Sequence, residues 1–305
     1  MTPPLLHRFS HQAMGTFFEA TISGEDAPYA GQAAQAVFKE IDRLERLFSR
    51  FDPSSEISRV SRLRPGESLM IGSETFDCLS LAEKVRQETN GAFDVNVRAA
   101  VKYGPADSLL PAGISADIPH VSPNYLSLAR TERGYEVRRG EQTEGGWRSL
   151  DLDLGAIGKG FALDQALAVL SDWSIQHALI HGGTSTAAAI GNAPGQAGWP
   201  VGVGSGWPCP DAPREIFLSG RALSGSGTEV KGQHVIDPKT GRPAQGHVAA
   251  WALHPSAAEA DALSTAFMVM DTSEVENYCR RHPEVWALVV RDYGNCRVFG
   301  SIPVL

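Results

Sequence analysis

Cysteine is scarce in this chain: Cys78, Cys209, Cys279 and Cys296 are the four in 305 residues. None are spaced as CxxC, and no Cys/His cluster suggests zinc. So few in so long a chain do not suggest a disulfide framework, and free thiols in a reducing compartment are expected. Long apolar runs are missing too. Nothing approaches the about 20 residues that a membrane span needs, so no membrane insertion is expected. The start, Met-Thr-Pro-Pro-Leu-Leu-His-Arg, has no charged stretch leading into an apolar run and no lipobox cysteine. It reads as lacking a signal peptide and predicts a cytoplasmic protein. Positive charge is in deficit: 27 Lys and Arg face 35 Asp and Glu, a formal net charge of -8. General nucleic-acid binding, which needs a surplus of basic side chains along phosphates, is therefore not expected. A local basic pocket for one phosphate ligand remains open, and at a pyrophosphate a metal ion can supply the missing charge.

What is present is an ordinary globular balance, with 42% hydrophobic and 20% charged residues. Length alone fits one large domain or two modest ones. Thr16–Ile22, rich in branched and aromatic residues, reads as a strand. Ala34, Val37, Phe38, Ile41, Leu44 and Phe48 recur at three and four residues and predict a helix from about Gly31 to Phe48. A second helix starts near Ser73, taken as its N-cap, and ends at Asn90-Gly91 in a left-handed cap. The stretch from Tyr103 to Tyr125 reads as irregular loop. A helix from about Lys159 to Leu170 follows a glycine cluster. Then come strand, Gly182-Gly183 turn and strand over 177–190, and a short strand over Trp199–Val203. Helices over Ala257–Met270 and Ser273–Arg281 and a hairpin over Val285–Ile302, turning at Tyr293-Gly294-Asn295, complete the chain. Strands and helices mix without βαβ alternation, so the expected class is α+β with largely antiparallel sheets flanked by helices, as one unit over 1–305.

Four stretches could carry chemistry. In Asp153-Leu-Gly-Ala-Ile-Gly-Lys-Gly160 the glycines let backbone approach a ligand, and the following helix offers its positive dipole end. Lys159 adds a point charge suited to phosphate. The spacing is not that of a Walker A loop, and a plain strand-to-helix turn is the competing reading. Asp261 and Thr265, four apart on a helix, share a face and offer hard oxygens suited to magnesium, or else a helix carboxylate and a back-bonding threonine. His234 precedes Asp237-Pro-Lys-Thr-Gly241, a strong turn signature, on an expected strand. It could take a hydroxyl proton near neutral pH or be structural. Ser224-Gly-Ser-Gly227 upstream is either pocket lining or loop. In Thr89-Asn-Gly-Ala-Phe-Asp94, Phe93 could pack on a planar ring and Asp94 bond a polar edge, or Phe93 could be a buried residue after a helix cap.

Together these stations, with Met14-Gly-Thr16, the helix into Phe48-Ser-Arg-Phe-Asp-Pro-Ser-Ser-Glu-Ile-Ser58, Gly182-Gly183 and Ala260-Asp-Ala-Leu-Ser-Thr265, resemble the ApbE-like FAD:protein FMN transferases from Met14 to about Met270. The resemblance implies an ApbE-like, T-fold-like architecture and an enzyme that takes FAD as substrate with Mg2+, or Mn2+ in its place. It would transfer the FMN half to a Thr or Ser hydroxyl of an acceptor flavoprotein and release AMP. By the resemblance, the metal ligands are the Ala156 carbonyl and the side chains of Asp261 and Thr265. Met14, Phe51, Ala92, Phe93, Asp94, Asp153, Lys159 and Ile236 fall at flavin- or nucleotide-contacting positions. His234, Asp261 and Lys159 are the expected catalytic residues, with His234 activating the acceptor hydroxyl.

The sequence departs from the family pattern at several positions. Phe51 stands where Tyr is frequent, Gln233 where Ser precedes the motif histidine, Thr184 where Asp or Asn follows the glycine pair, and Gly158 where Ala is usual. The export signal common in the family is not seen. Two other readings share the same site: an FAD pyrophosphatase giving FMN and AMP, and a catalytically inactive FAD-binding protein. An unrelated structural α+β protein is a third.

Overall fold

A computed structural model describes residues 6–103, 125–141, 150–204, 209, 212–228, 235–292 and 295–302. Its centre is an eight-stranded sheet in the order β1-β2-β6-β7-β10-β11-β12-β13. The strands are β1 (Leu6–Ala13), β2 (Thr16–Ser23), β6 (Ala178–Gly182), β7 (Thr186–Ile190), β10 (Arg221–Gly227), β11 (Ala249–His254), β12 (Trp286–Asp292) and β13 (Asn295–Phe299). Every pairing in it is antiparallel. A three-stranded antiparallel sheet, β3 (Ser68–Ile71), β5 (Gly134–Arg139) and β4 (Leu126–Thr131), lies apart, as does the ribbon of β8 (Trp199–Gly202) and β9 (Glu215–Leu218). The α+β class with antiparallel sheets and flanking helices is what the sequence predicts.

Alternation along the strands separates the two faces of the large sheet. Ala250, Ala252, Ala287 and Val289 join the core under the helices, while Ala249, Leu253, Trp286, Leu288 and Val290 pack with Trp199, Ile216 and Leu218 of the ribbon. The helix face carries α1 (Ala27–Phe48), α5 (Gly158–Asp172) and α6 (Ala257–Val269). In α6, eleven of thirteen residues are buried, so it has no polar face and lies inside the molecule. Small residues make that depth possible. Ala257, Ala258, Ala260, Ala262 and Ala266 let α6 approach β10 and β11, themselves built of Ala, Gly and Ser.

Several boundaries differ from expectation. Helix α1 starts at Ala27, because Asp26 caps it by accepting from Tyr29 N at 2.9 Å. Helix α3 (Ser73–Glu88) is capped by Gly72, whose N–H donates to the Glu56 carboxylate, and Ser73 lies inside the first turn. Asn90 (φ 51°) and Gly91 (φ 77°) are left-handed, as their order implies. Ser224–Gly227, read as pocket lining or loop, is the second half of β10. The α2 (Glu56–Ser61), α4 (Val97–Tyr103) and α7 (Thr272–Arg281) helices complete the set. The irregular loop expected after Tyr103 and the turn at Tyr293-Gly294 lie outside the described residues.

The thiol expectation needs correction. Cys209 and Cys296 form a disulfide that ties the segment before β9 to edge strand β13, 87 residues apart in sequence. Cys78 and Cys279 are free and buried. Pairing depends on the approach of two distant segments, which spacing alone does not reveal.

Candidate active site

The site forms where the start of α5 meets the second turn of α6. Contact here is enforced by Gly160: a Cβ on it would lie 2.1 Å from the Ala257 carbonyl oxygen. Asp164, one turn later, accepts from Ser256 Oγ (2.7 Å), Ala257 N (2.7 Å) and Ala258 N (3.0 Å), so α5 holds the N-terminus of α6 by its free N–H groups. Burial raises the Asp164 pKa against the lowering effect of those bonds.

Asp261 emerges from α6 at this junction with a side chain only 5% exposed. Its Oδ2 accepts from Gly160 N at 3.2 Å, and its Oδ1 from Ser224 Oγ of β10 at 3.3 Å. Lys159 Nζ lies 3.3 and 3.1 Å from the two carboxylate oxygens and donates to the Gly155 carbonyl at 3.0 Å. One cationic centre thus bridges the glycine turn and the buried carboxylate. Thr265, one turn on, packs beside Ser226 Oγ at 3.3 Å, and Ser226 reaches Ser264 Oγ at 2.9 Å. Ser224 and Ser226 alternate along β10 and so point together at α6. Thr186 Oγ1 of β7 meets Ser224 Oγ at 2.9 Å. The two serines carry a period-two signal, Ser-Gly-Ser-Gly, that marks one face of a strand. Asp164 ends the stretch from Asp153 that carries the family resemblance, and Thr186 leaves no comparable signal.

The donor set fits a hard cation. The Asp261 carboxylate and the Gly155 carbonyl that meet at Lys159 are hard oxygens of the kind magnesium takes, and the Thr265 hydroxyl, one turn on, bonds back to the Asp261 main-chain carbonyl at 3.4 Å. The Lys159 ammonium, seated between a carbonyl and the carboxylate, stands in for such a charge. Among the described residues there is no cluster of three or more His, Cys, Asp or Glu.

The remaining expected residues divide. Asp153 is fixed through its N–H to Val95 O (2.7 Å), through Oδ1 to Gly155 N (2.9 Å) and through an ion pair with Arg50 (3.1 Å). Arg50 stacks over the Phe51 ring at 4.0 Å, and that ring is 78% exposed, free to meet a planar partner. Met14 sits in a left-handed hairpin turn (φ 50°) with its N–H on Glu45 Oε1 at 2.8 Å. That turn abuts Gly183, whose N–H donates to Phe17 O at 2.8 Å. Ala92 and Phe93, by contrast, are 3% and 2% exposed and belong to the core. Their side chains present no open ring face, and only their backbone can meet a ligand. Asp94 is buried, accepting from Tyr125 OH (2.6 Å) and Asn96 N (2.7 Å), and burial raises its pKa. Ile236 is half-buried and bridges to Pro243. Asp237 nucleates the turn through Gly241 N (2.8 Å) and Lys239 N (2.9 Å). His234 lies outside the described residues. Sequence reasoning missed Arg50, Glu45 and Tyr125, whose roles come from partners distant along the chain.

Several known proteins are similar to this chain over most of its length. The FAD:protein FMN transferase of Salmonella typhimurium is 26% identical over 287 residues, covering 88% of this chain and 80% of that protein. The Escherichia coli K12 protein of the same name is 24% identical over 285 residues, with the same coverage. Among solved structures, the apo flavinyl transferase ApbE of Pseudomonas stutzeri superposes with a TM-score of 0.77 at 20% identity, over 98% of this chain and 97% of that one. The ApbE protein of Thermotoga maritima gives 0.75 at 24% identity, over 97% of each chain. The model of the ApbE family matches residues 14–289, and the chain belongs to that family.

Proposed function

We propose that this chain is a magnesium-dependent FAD:protein FMN transferase. The observation that carries the reading is the buried Asp261 carboxylate, turned to the Gly155–Gly160 segment and already balanced by a cationic centre. Curated relatives that this chain covers to about 80% of their length bear that activity in their names. Asp261, Thr265 and the Ala156 carbonyl would hold the metal, with manganese as its substitute. When bound, it supplies charge neutralisation at a pyrophosphate. Lys159 and the start of α5 bind and orient the phosphate oxygens. Phe51, with Arg50 behind it, offers a face to a flavin or adenine ring, and Asp153 and Met14 border the same approach.

In the reaction, the hydroxyl oxygen of an acceptor Thr or Ser bonds to the phosphorus on the riboflavin side. His234 takes the hydroxyl proton. The phosphorus–oxygen bond to the adenylate half breaks, and AMP leaves with the electron pair. Positioning and charge neutralisation supply most of the rate in such transfers. The compartment is a separate matter. No described helix is long and apolar enough to cross a membrane. The Cys209–Cys296 disulfide is a bond that persists in oxidising surroundings and argues against the cytoplasmic expectation.

The test is incubation with FAD, magnesium and an acceptor protein from the same genome, read by mass spectrometry. FMN added to the acceptor together with AMP is the expected result. FMN and AMP released from FAD with no acceptor would move the assignment to a pyrophosphatase. FAD retention with no AMP would move it to a binding protein.

A further inference from the structure

At the far edge of the large sheet, on its helix side, lies a cavity of about 270 Å³ that the transfer chemistry does not use. Its walls are His247, Thr272, Val289, Arg291, Asn295 and Arg297. Register explains why these meet. Val289 pairs with Arg297 across β12 and β13, and Val289 faces the helix-side core. Residues two apart in a strand point the same way, which places Asn295 beside Arg297. Arg291, two residues past Val289, lines the same cavity where the pairing shifts between Val290 and Asp292. Thr272, the first residue of α7, closes the cavity from above.

The wall chemistry is that of an oxyanion receptor. Two guanidinium groups line it, both on exposed residues, and among the described residues neither has a carboxylate partner; Arg297 donates only to the Cys296 carbonyl at 3.2 Å. The nearby Asp271 carboxylate is engaged by Glu274 N (2.8 Å) and Ser273 Oγ (2.6 Å). His247, 4% exposed, forms the back wall. Its Nδ1 lies 2.6 Å from the Phe267 carbonyl, which can only accept, so Nδ1 carries a proton. In the neutral ring Nε2 is then an acceptor, and the Thr272 hydroxyl at 3.2 Å spends its proton there. A second proton on Nε2 reverses that bond and frees the Thr272 hydroxyl to donate into the cavity.

We propose that this cavity binds a phosphate-class oxyanion between Arg291, Arg297 and the Thr272 hydroxyl, and that His247 takes up one proton as it binds. The charged groups facing the imidazole agree with such coupling. Burial, with Arg291 adding to it, lowers the His247 pKa, while the bond to the Phe267 carbonyl and the Asp271 charge act the other way. An anion seated against Arg291 offsets that repulsion and favours the imidazolium. The ligand is either free phosphate or the phosphate of a nucleotide. The inference does not depend on the transferase reading.

Calorimetric titration of the full chain with inorganic phosphate and, separately, with AMP tests it. Phosphate should bind saturably, and sulfate, whose charge is constant over this range, should bind more weakly as pH rises from about 6 to about 8, where imidazole is neutral. Affinity should fall at least about tenfold in the Arg291→Gln/Arg297→Gln double variant, whose circular dichroism establishes that it is folded. A parallel loss for AMP identifies a nucleotide phosphate as the occupant; AMP binding unaffected by the variant leaves free phosphate. Absence of saturable phosphate binding, or unchanged affinity in the folded variant, overturns the proposal. Should the variant not fold, the wild-type His247 imidazole nitrogen resonances decide, since phosphate must move them toward the protonated form.

Discussion

Gly160→Ala tests the junction on which the candidate site depends. The new Cβ would lie 2.1 Å from Ala257 O, 2.5 Å from Ala257 C and 2.7 Å from Ala258 Cα. All three are backbone atoms and cannot rotate away. Ordinary contact requires about 3.5 Å, so α5 and α6 must part by roughly 1.4 Å. The Asp164 bonds to Ser256, Ala257 and Ala258 resist that separation. Overpacking of this kind costs about 1–3 kcal/mol. Weakening the Gly160 N–H to Asp261 bond, a donor to a charged acceptor, adds about 1.5–3 kcal/mol. A loss near 4 kcal/mol lowers the melting temperature by roughly 8–16 °C in a chain of this size. Differential scanning calorimetry measures it, with Gly202→Ala as the control, because no atom lies within 4 Å of a Cβ there. The control should stay within about 2 °C of wild type. If Gly160→Ala also melted within that margin, the close approach of the two helices would be refuted.

Asp261→Asn should remove the magnesium-induced thermal shift and the metal-dependent release of AMP, because it deletes the one carboxylate in the proposed ligand set. A magnesium shift preserved in the variant would place the metal elsewhere. His234→Ala should slow FMN transfer by about 10²–10⁴ while leaving FAD affinity within about twofold, as loss of a general base does. Equal loss of both, followed by stopped assays and FAD titration, would make the histidine structural. Burial lowers the pKa values of His181, His247 and His254 below the ordinary 6.5. The unfolded chain then binds protons first, so this stability is whole above pH 6.5 and is lost as pH falls through the folded values. The raised carboxyls of Asp94 and Asp164 act oppositely, between their folded values and the ordinary 3.8. Melting temperature should therefore fall on acidification below pH 6.5, and a flat profile down to pH 5.5 would contradict the burial of these rings.

Local signals carried the fold where one physical rule dominated. The three-and-four spacing from Ala34 to Phe48 gave α1, because its opposite face is solvated. Asn90-Gly91 gave a helix end, because few other residues adopt positive φ without strain. The small-residue strands were harder. Ala249–Ala252 is covered on both faces, so no polar alternation announces it. The site was legible as a set of stations but not as a structure. Asp261 and Lys159 could be named from sequence; that the ammonium sits on the carboxylate follows from Gly160 admitting Ala257, a contact across 97 positions. Phe93 illustrates the converse. Its motif left open a ring contact or a buried residue after a helix cap, and the side chain packs in the core.

The Cys209–Cys296 bond has a practical consequence. It fastens a strap across the outer border of the main sheet, beside the strand that carries Arg297. Protein made in a reducing host would leave that strap undone. Two preparations of identical sequence would then differ in how firmly the border is held, and comparison between laboratories would first require counting titratable thiols: two in the fastened form, four in the open one.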